Sequence, residues 1–162
     1  MREYLKETPE AANIFGSIFM GDNTRRGIIR SWNRETGKKE AIQEKKEIDF
    51  LSHLRGEIIQ GLSPVNLEEN GVRWICFDID QIIDPKIFCS KLWIYDQYLF
   101  AFKSLNGRWH VYKFLNEWTD VNEAKKEAKK IESDLIKLGF EVDKGHTLPT
   151  GWSEEKMSSG SW

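Results

Sequence analysis

The stretch "RWICFDIDQ", Arg73 to Gln81, decides how the rest of the chain is read. Trp74, Ile75 and Phe77 favour extended backbone, so the run reads as a strand. Strand side chains alternate between two faces. Ile75, Phe77 and Ile79 therefore share one face, and Trp74, Cys76, Asp78 and Asp80 share the other. Two carboxylates that close repel each other, and one is pushed toward its protonated form unless a cation lies between them. A hard divalent cation removes that cost, because Mg²⁺ and Mn²⁺ take carboxylate oxygens.

Downstream, "DPKIFCSK" opens a short helix, with Asp84 as N-cap and Pro85 at the first helical position. "YLFAFKS" reads as a second strand, "LNG" as a turn and "RWHVYKFL" as a third strand. Val121, Ala124, Ala128, Ile131, Leu135 and Leu138 recur at intervals of three and four, which marks one face of a helix. Asp120 with Glu123 resembles a capping box, and Gly139 fits the C-cap. "FEVD", Phe140 to Asp143, reads as a short fourth strand. The fold class expected is α+β, with a ferredoxin-like or RRM-like βαββαβ core over residues 71–143. In that arrangement the first strand is central, flanked by the third and fourth. On the third strand Trp109 and Val111 share a face opposite Arg108, His110 and Tyr112. On the fourth, Phe140 and Val142 lie opposite Glu141 and Asp143. With each apolar set on the helices, Asp78, Asp80, Asp143 and His110 converge on the other side of the sheet.

Residues 1–70 read as a mixed α/β unit before this core. "IFGSIFMG" is apolar, "GIIRSW" is a short strand, "NRETGKKE" a turn and "PVNLEENG" a loop. In "AIQEKKEIDFLSHLRG", Ile42, Ile48, Leu51 and Leu54 stand at roughly helical spacing, with Gly56 as a stop. Residues 144–162 read as a tail, and the whole as one domain. A hydrophobic content of 40% with 12% aromatics indicates a folded globular chain. A net charge of -2 gives no global attraction for nucleic acid, so any polyanion site must be a local patch. Arg25, Arg26, Arg30, Lys38 and Lys39 form one such cluster, available to template or phosphate, or simply solvated. Cys76 and Cys89 are too few for a disulfide framework or a zinc site, and read as reduced thiols of a cytoplasmic protein. No apolar run reaches transmembrane length, so no membrane partner is expected.

Three motifs in order, "WICFDID", "SLNGRWH" and "EVD", resemble those of the archaeo-eukaryotic primase superfamily. The similarity is to primase-polymerase catalytic domains of phage and mobile-element type. It extends upstream through "HLRGEIIQGLSPVNLEENGVRWICFDID" and the "RSWNRETGK" turn. The resemblance implies a DNA primase or polymerase that adds nucleotides to a template-directed 3′-hydroxyl. Asp78, Asp80 and Asp143 would hold two ions, Mg²⁺ or Mn²⁺. Ser104, Asn106, Gly107, Arg108 and His110 would meet the triphosphate of the incoming nucleotide. Lys144 and His146 follow Asp143 closely enough to reach it too. The implied partners are a single-stranded DNA template, nucleoside triphosphates, and a helicase or accessory primase domain.

Two other readings use the same residues. In a haloacid-dehalogenase-like phosphatase, the first Asp of "FDIDQ" is a nucleophile and the second a general acid. That family places a doubly wound parallel sheet after the strand, which the paired "YLFAFKS" and "RWHVYKF" strands oppose. In a non-catalytic RRM-like module the central strands carry aromatics for base stacking, where this chain has Asp78, Asp80 and His110.

Overall fold

The structure, a computed structural model, describes residues 7–33, 36, 39–104, 107–143 and 147. These residues form an α+β fold of four helices and two antiparallel sheets. The chain divides between Leu67 and Glu68 into two compact units.

The first unit contains α1 (Pro9–Ile18), β1 (Asp22–Trp32), β2 (Lys39–Glu44), α2 (Phe50–Leu54), β3 (Gln60–Ser63) and the two-residue β4 (Val65–Asn66). Thr8 caps α1, and Pro9 occupies its first turn. β1 is the middle strand, antiparallel to β2 and β3. The helix expected across residues 41–56 is not formed. Its first part is β2, in which Ile42 pairs with Ile28, and only Phe50–Leu54 is helical. Asp49 begins that helix, accepting from the Ser52 amide at 3.0 Å and the Ser52 hydroxyl at 2.8 Å. Ile42 thus lies in a strand, Leu51 and Leu54 in the helix and Ile48 between them, so their helical spacing is incidental. Arg26, expected in a surface cluster, is buried. Its guanidinium donates to Glu44 at 3.3 Å and Gln60 at 3.2 Å, which ties β1 to both neighbours. Arg25 and Arg30 are exposed. Lys38 and the Gly37–Lys38 turn lie outside the described residues, as does the Lys39 side chain.

The second unit runs β5 (Gly71–Ile79), α3 (Pro85–Tyr95), β6 (Leu99–Lys103), β7 (Trp109–Asp120) and α4 (Val121–Lys137). β7 lies between β5 and β6, antiparallel to both. Asp84 caps α3 through the amides of Lys86 and Ile87, and Asp120 caps α4 through those of Asn122 and Glu123. Ile75, Phe77 and Ile79 are fully buried beside Val111 and Trp109, on the face that the helices cover. Phe88 of α3 stacks on Trp109, with ring centroids 4.4 Å apart and planes 6° from parallel. Ala124, Ala128, Ile131 and Leu135 are the buried stripe of α4. The helix ends in paired bonds, Gly139 amide to Ile136 carbonyl and Phe140 amide to Leu135 carbonyl, with Gly139 at φ +85°.

The expected fourth strand is reduced to one antiparallel bridge, Val142 with Ile79. Bonds from the Asp143 amide to the Asp78 carbonyl (2.8 Å) and from the Asp80 amide to the Glu141 carbonyl (2.9 Å) flank it. Residues 141–143 thus run antiparallel along the end of β5, on the side away from β7.

Candidate functional site

The register of the second sheet brings the sequence-derived residues into rows. Residues opposite one another in an antiparallel pair project from the same face. Asp78 is opposite His110, and His110 is opposite Phe102. On the other side of β5 the bridge sets Asp143 beside Asp78. One row therefore reads Asp143, Asp78, His110, Phe102. One step toward the strand ends, Glu141, Asp80 and Arg108 form a second row. One step the other way, Cys76, Tyr112 and Phe100 form a third. Trp74 is opposite Phe114 beyond that.

The charged rows are internally paired. Asp78 Oδ1 lies 3.3 Å from His110 Nε2, with both side chains about a third to a half exposed. Arg108 Nη1 donates to Asp80 Oδ1 at 2.8 Å. The repulsion that two neighbouring carboxylates impose is thus met here by a histidine and an arginine. Among the described residues no three His, Cys, Asp or Glu side chains converge tightly enough to hold a metal ion. The carboxylates of Asp78, Asp80, Glu141 and Asp143 share one face, but His110 and Arg108 engage two of them. A divalent ion at Asp80 Oδ1 would have to displace Arg108. The donor chemistry, all carboxylate oxygen, suits a hard cation.

The turn between β6 and β7 is closed by the Ser104 amide on the Arg108 carbonyl at 2.8 Å and the Gly107 amide on the Ser104 carbonyl at 3.0 Å. Gly107 has φ +79°, a conformation that glycine adopts without strain. Those two amides are engaged inside the hairpin, and among the described residues Arg108 and His110 are side chains beside it that can donate to a ligand. Asn106, Lys144 and His146 lie outside the described residues. Trp109, expected in the core, is there.

Below the charged rows the face is aromatic and electrically neutral. Burial, followed by the charge of Asp78, pushes the Cys76 thiol up to about 12. The Tyr112 hydroxyl is pushed up as well, by burial first and then by Cys76 and Asp78. Neither ionises near neutral pH, so Cys76 is no thiolate nucleophile. Glu141 and the aromatic rows were not singled out from the sequence. The alternation in "YLFAFKS" carries the signal for Phe100 and Phe102, whereas their alignment with Tyr112 and His110 depends on register.

No protein-family model matches the chain, and no curated protein matches it. No helix among the described residues is long and apolar enough to cross a membrane.

Proposed function

We propose that the chain is a nucleotidyltransferase of primase-polymerase type, with residues 71–143 as a ferredoxin-like catalytic core. The observation that carries this reading is the row Asp143, Asp78, His110, with Asp80 and Arg108 beside it at the same end of the sheet. Acids for cations and bases for phosphates stand side by side, which is what a nucleoside triphosphate with its counter-ion requires. The β5–α3–β6–β7–α4 order followed by the Val142 bridge supports the ferredoxin-like assignment.

Asp78, Asp80 and Asp143 would hold Mg²⁺ or Mn²⁺. When bound, such ions lower the pKa of a primer 3′-hydroxyl and neutralise triphosphate charge. His110 donates to a phosphate oxygen from its place opposite Asp78. Arg108, released from Asp80, takes a second phosphate through its planar fork. The antiparallel sheet disfavours the phosphatase alternative, whose chemistry sits on a parallel one. The aromatic rows favour a nucleic-acid-binding face of RRM-like kind, and the two readings agree on a single-stranded ligand.

Calorimetry of a nucleoside triphosphate with Mg²⁺ tests the proposal on wild type and His110→Ala. A charge-assisted phosphate contact is worth about 1.5–3 kcal/mol, so affinity should fall roughly ten- to a hundredfold. Equal affinities for the two proteins would remove His110 from the nucleotide site. Incubation with Mn²⁺, template and labelled nucleotides, with and without a primer, then separates priming from extension.

A further inference from the structure

Asp78 stands inside the β5–β7 ladder, and Asp80 follows directly after it. Asp143 has no ladder of its own. One bridge, Val142 with Ile79, and two flanking amide bonds hold its segment to the end of β5. A segment on so few bonds opens readily unless something else ties it down. Four residues on, Thr147 is 0% exposed. Its hydroxyl donates to Glu132 Oε2 of α4 at 2.8 Å. α4 is itself fixed to the unit by its buried stripe, and Glu132 directly follows Ile131 of that stripe. The chain thus leaves α4 at Gly139, passes the end of β5 at Val142 and Asp143, and is back on α4 at Thr147. The point of return lies about 10 Å along the helix from the point of departure.

We infer that Thr147 and Glu132 form a latch that holds Asp143 beside Asp78, which makes both of them positioning residues for the candidate metal site. The consequence for metal rests on the function proposed above, whereas the consequence for the Asp143 backbone does not. The hydroxyl decides between a latch and a filler. A residue that only fills space at a fully buried position needs no polar atom, and valine has the same shape. A buried hydroxyl that donates to a carboxylate makes a charge-assisted bond, and one that costs most when it is left unmade. Placement decides what the latch holds. Asp143 lies between two attachments to one helix, Gly139 before it and Thr147 after it, so its segment cannot lift from β5 while both are closed.

Hydrogen exchange at the Asp143 amide, which donates to the Asp78 carbonyl at 2.8 Å, reads the latch directly. The full chain is compared with three variants. Thr147→Val keeps the shape and loses the hydroxyl, and Thr147→Ser keeps the hydroxyl. Glu132→Ala removes the acceptor with a residue that helices favour. Thr147→Val and Glu132→Ala should each speed exchange at Asp143 roughly fivefold or more, and the double variant no further than either alone. Thr147→Ser should stay near wild type, and amides inside the β5–β7 ladder should keep their protection throughout. Unchanged exchange at Asp143 in either folded variant, or exchange raised equally across the ladder, overturns the inference. Glu132→Ala keeps the test decisive should Thr147→Val fail to fold. Mn²⁺ titration then reads the metal consequence. Thr147→Val should bind Mn²⁺ about three- to tenfold more weakly, at or below the low end of what loss of a supporting contact costs a metal site. Placed in Asp143→Asn, the same substitution should change nothing further, because it acts through Asp143. A loss of equal size in both backgrounds would make Thr147 a general stabiliser and overturn its positioning role. The two readings fail separately. Faster exchange at Asp143, with Mn²⁺ affinity unmoved in Asp143→Asn, keeps the latch and removes Asp143 from the metal site. Mn²⁺ affinity lost in Asp143→Asn, with exchange unmoved in Thr147→Val, keeps the ligand and overturns the latch.

Discussion

Arg108 is bonded to Asp80 at 2.8 Å, so a cation assigned to phosphate neutralises a carboxylate assigned to metal. The two roles compete for one oxygen in this arrangement. A divalent ion that takes Asp80 Oδ1 displaces Arg108, and a triphosphate that engages Arg108 frees that oxygen. Binding of the two ligands is therefore expected to be mutually favourable, by the reciprocity that any such linkage obeys.

Arg108→Gln should separate the two effects. The pair is about half exposed on each side, and pairs of that kind are worth about 0–1 kcal/mol. Mn²⁺ affinity should thus rise by no more than about fivefold, while triphosphate affinity falls roughly tenfold or more. Titration of Mn²⁺ with and without nucleotide reads both numbers. If the variant left both affinities at their wild-type values, the ion pair would have no part in the site.

Asp78→Asn/Asp80→Asn should abolish divalent-ion binding and leave the fold in place. Two like charges are removed from one face, and the contacts given up, to Arg108 and His110, are partly exposed ones. The stability change should stay within about 1 kcal/mol. Mn²⁺-induced water relaxation and a denaturant melt report on the two halves of this expectation. Retained Mn²⁺ binding at wild-type affinity would move the metal site elsewhere in the chain.

Most elements of the second unit follow from local signals: alternation in β5, capping at Asp84 and Asp120, and the three-four stripe of α4. Each depends on neighbours within a few residues. What local signals could not carry was register. Phe100, Phe102, Tyr112, Phe114 and Trp74 come from three strands, and only the pairing of those strands makes them one surface. Arg26 read as a surface charge because its partners, Glu44 and Gln60, stand far off in sequence. Ile42 read as helical because Ile28, its partner across the sheet, was not in view. Of the site, Asp78 with His110 was legible as a shared face, whereas their bonding to each other and that of Asp80 to Arg108 were not.

The two thiols should behave differently. Cys89 is exposed and should react with a disulfide reagent at pH 8 within the mixing time of a hand experiment. Cys76 is buried and held up to about 12, so it should react only as fast as the unit opens. The same shift sets a pH dependence. A thiol raised in the folded state gives up its proton more readily when unfolded. Its contribution to stability is complete below the unfolded value of 9.0 and is lost as pH rises toward about 12. Denaturant melts between pH 8 and 11 should show stability falling, by up to about 1.4 kcal/mol per pH unit from this group. A flat profile, or two thiols reacting at one rate, would place Cys76 in contact with water.

Gly139 offers a test that joins the fold to the site. It ends α4 at φ +85°, and a Cβ built there would meet nothing within 4 Å. Replacement by Ala therefore costs conformational strain alone, about 1–2 kcal/mol for a left-handed residue that is not glycine. For a unit of this size that corresponds to a fall in melting temperature of roughly 4–8 °C per kcal/mol. Gly139→Asn should cost less, since asparagine enters this region more readily. The local effect is the informative one. The reversal at Gly139 sets Phe140 against Phe88 at 4.9 Å and leads into the bond from the Asp143 amide to the Asp78 carbonyl. Strain at the cap should loosen that short antiparallel segment before it disturbs the β5–β7 ladder. Hydrogen exchange should thus speed up at the Asp143 and Asp80 amides, which bond across the segment, while the amides that join Phe77 and Val111 keep their protection. Mn²⁺ affinity should fall in Gly139→Ala and recover in part in Gly139→Asn, following the exchange rate at Asp143. If Ala were tolerated without change in either melting or exchange, the C-cap would not be what holds Asp143 beside Asp78. If exchange rose but Mn²⁺ affinity did not move, Asp143 would drop out of the ligand set and leave Asp78 and Asp80 to carry it.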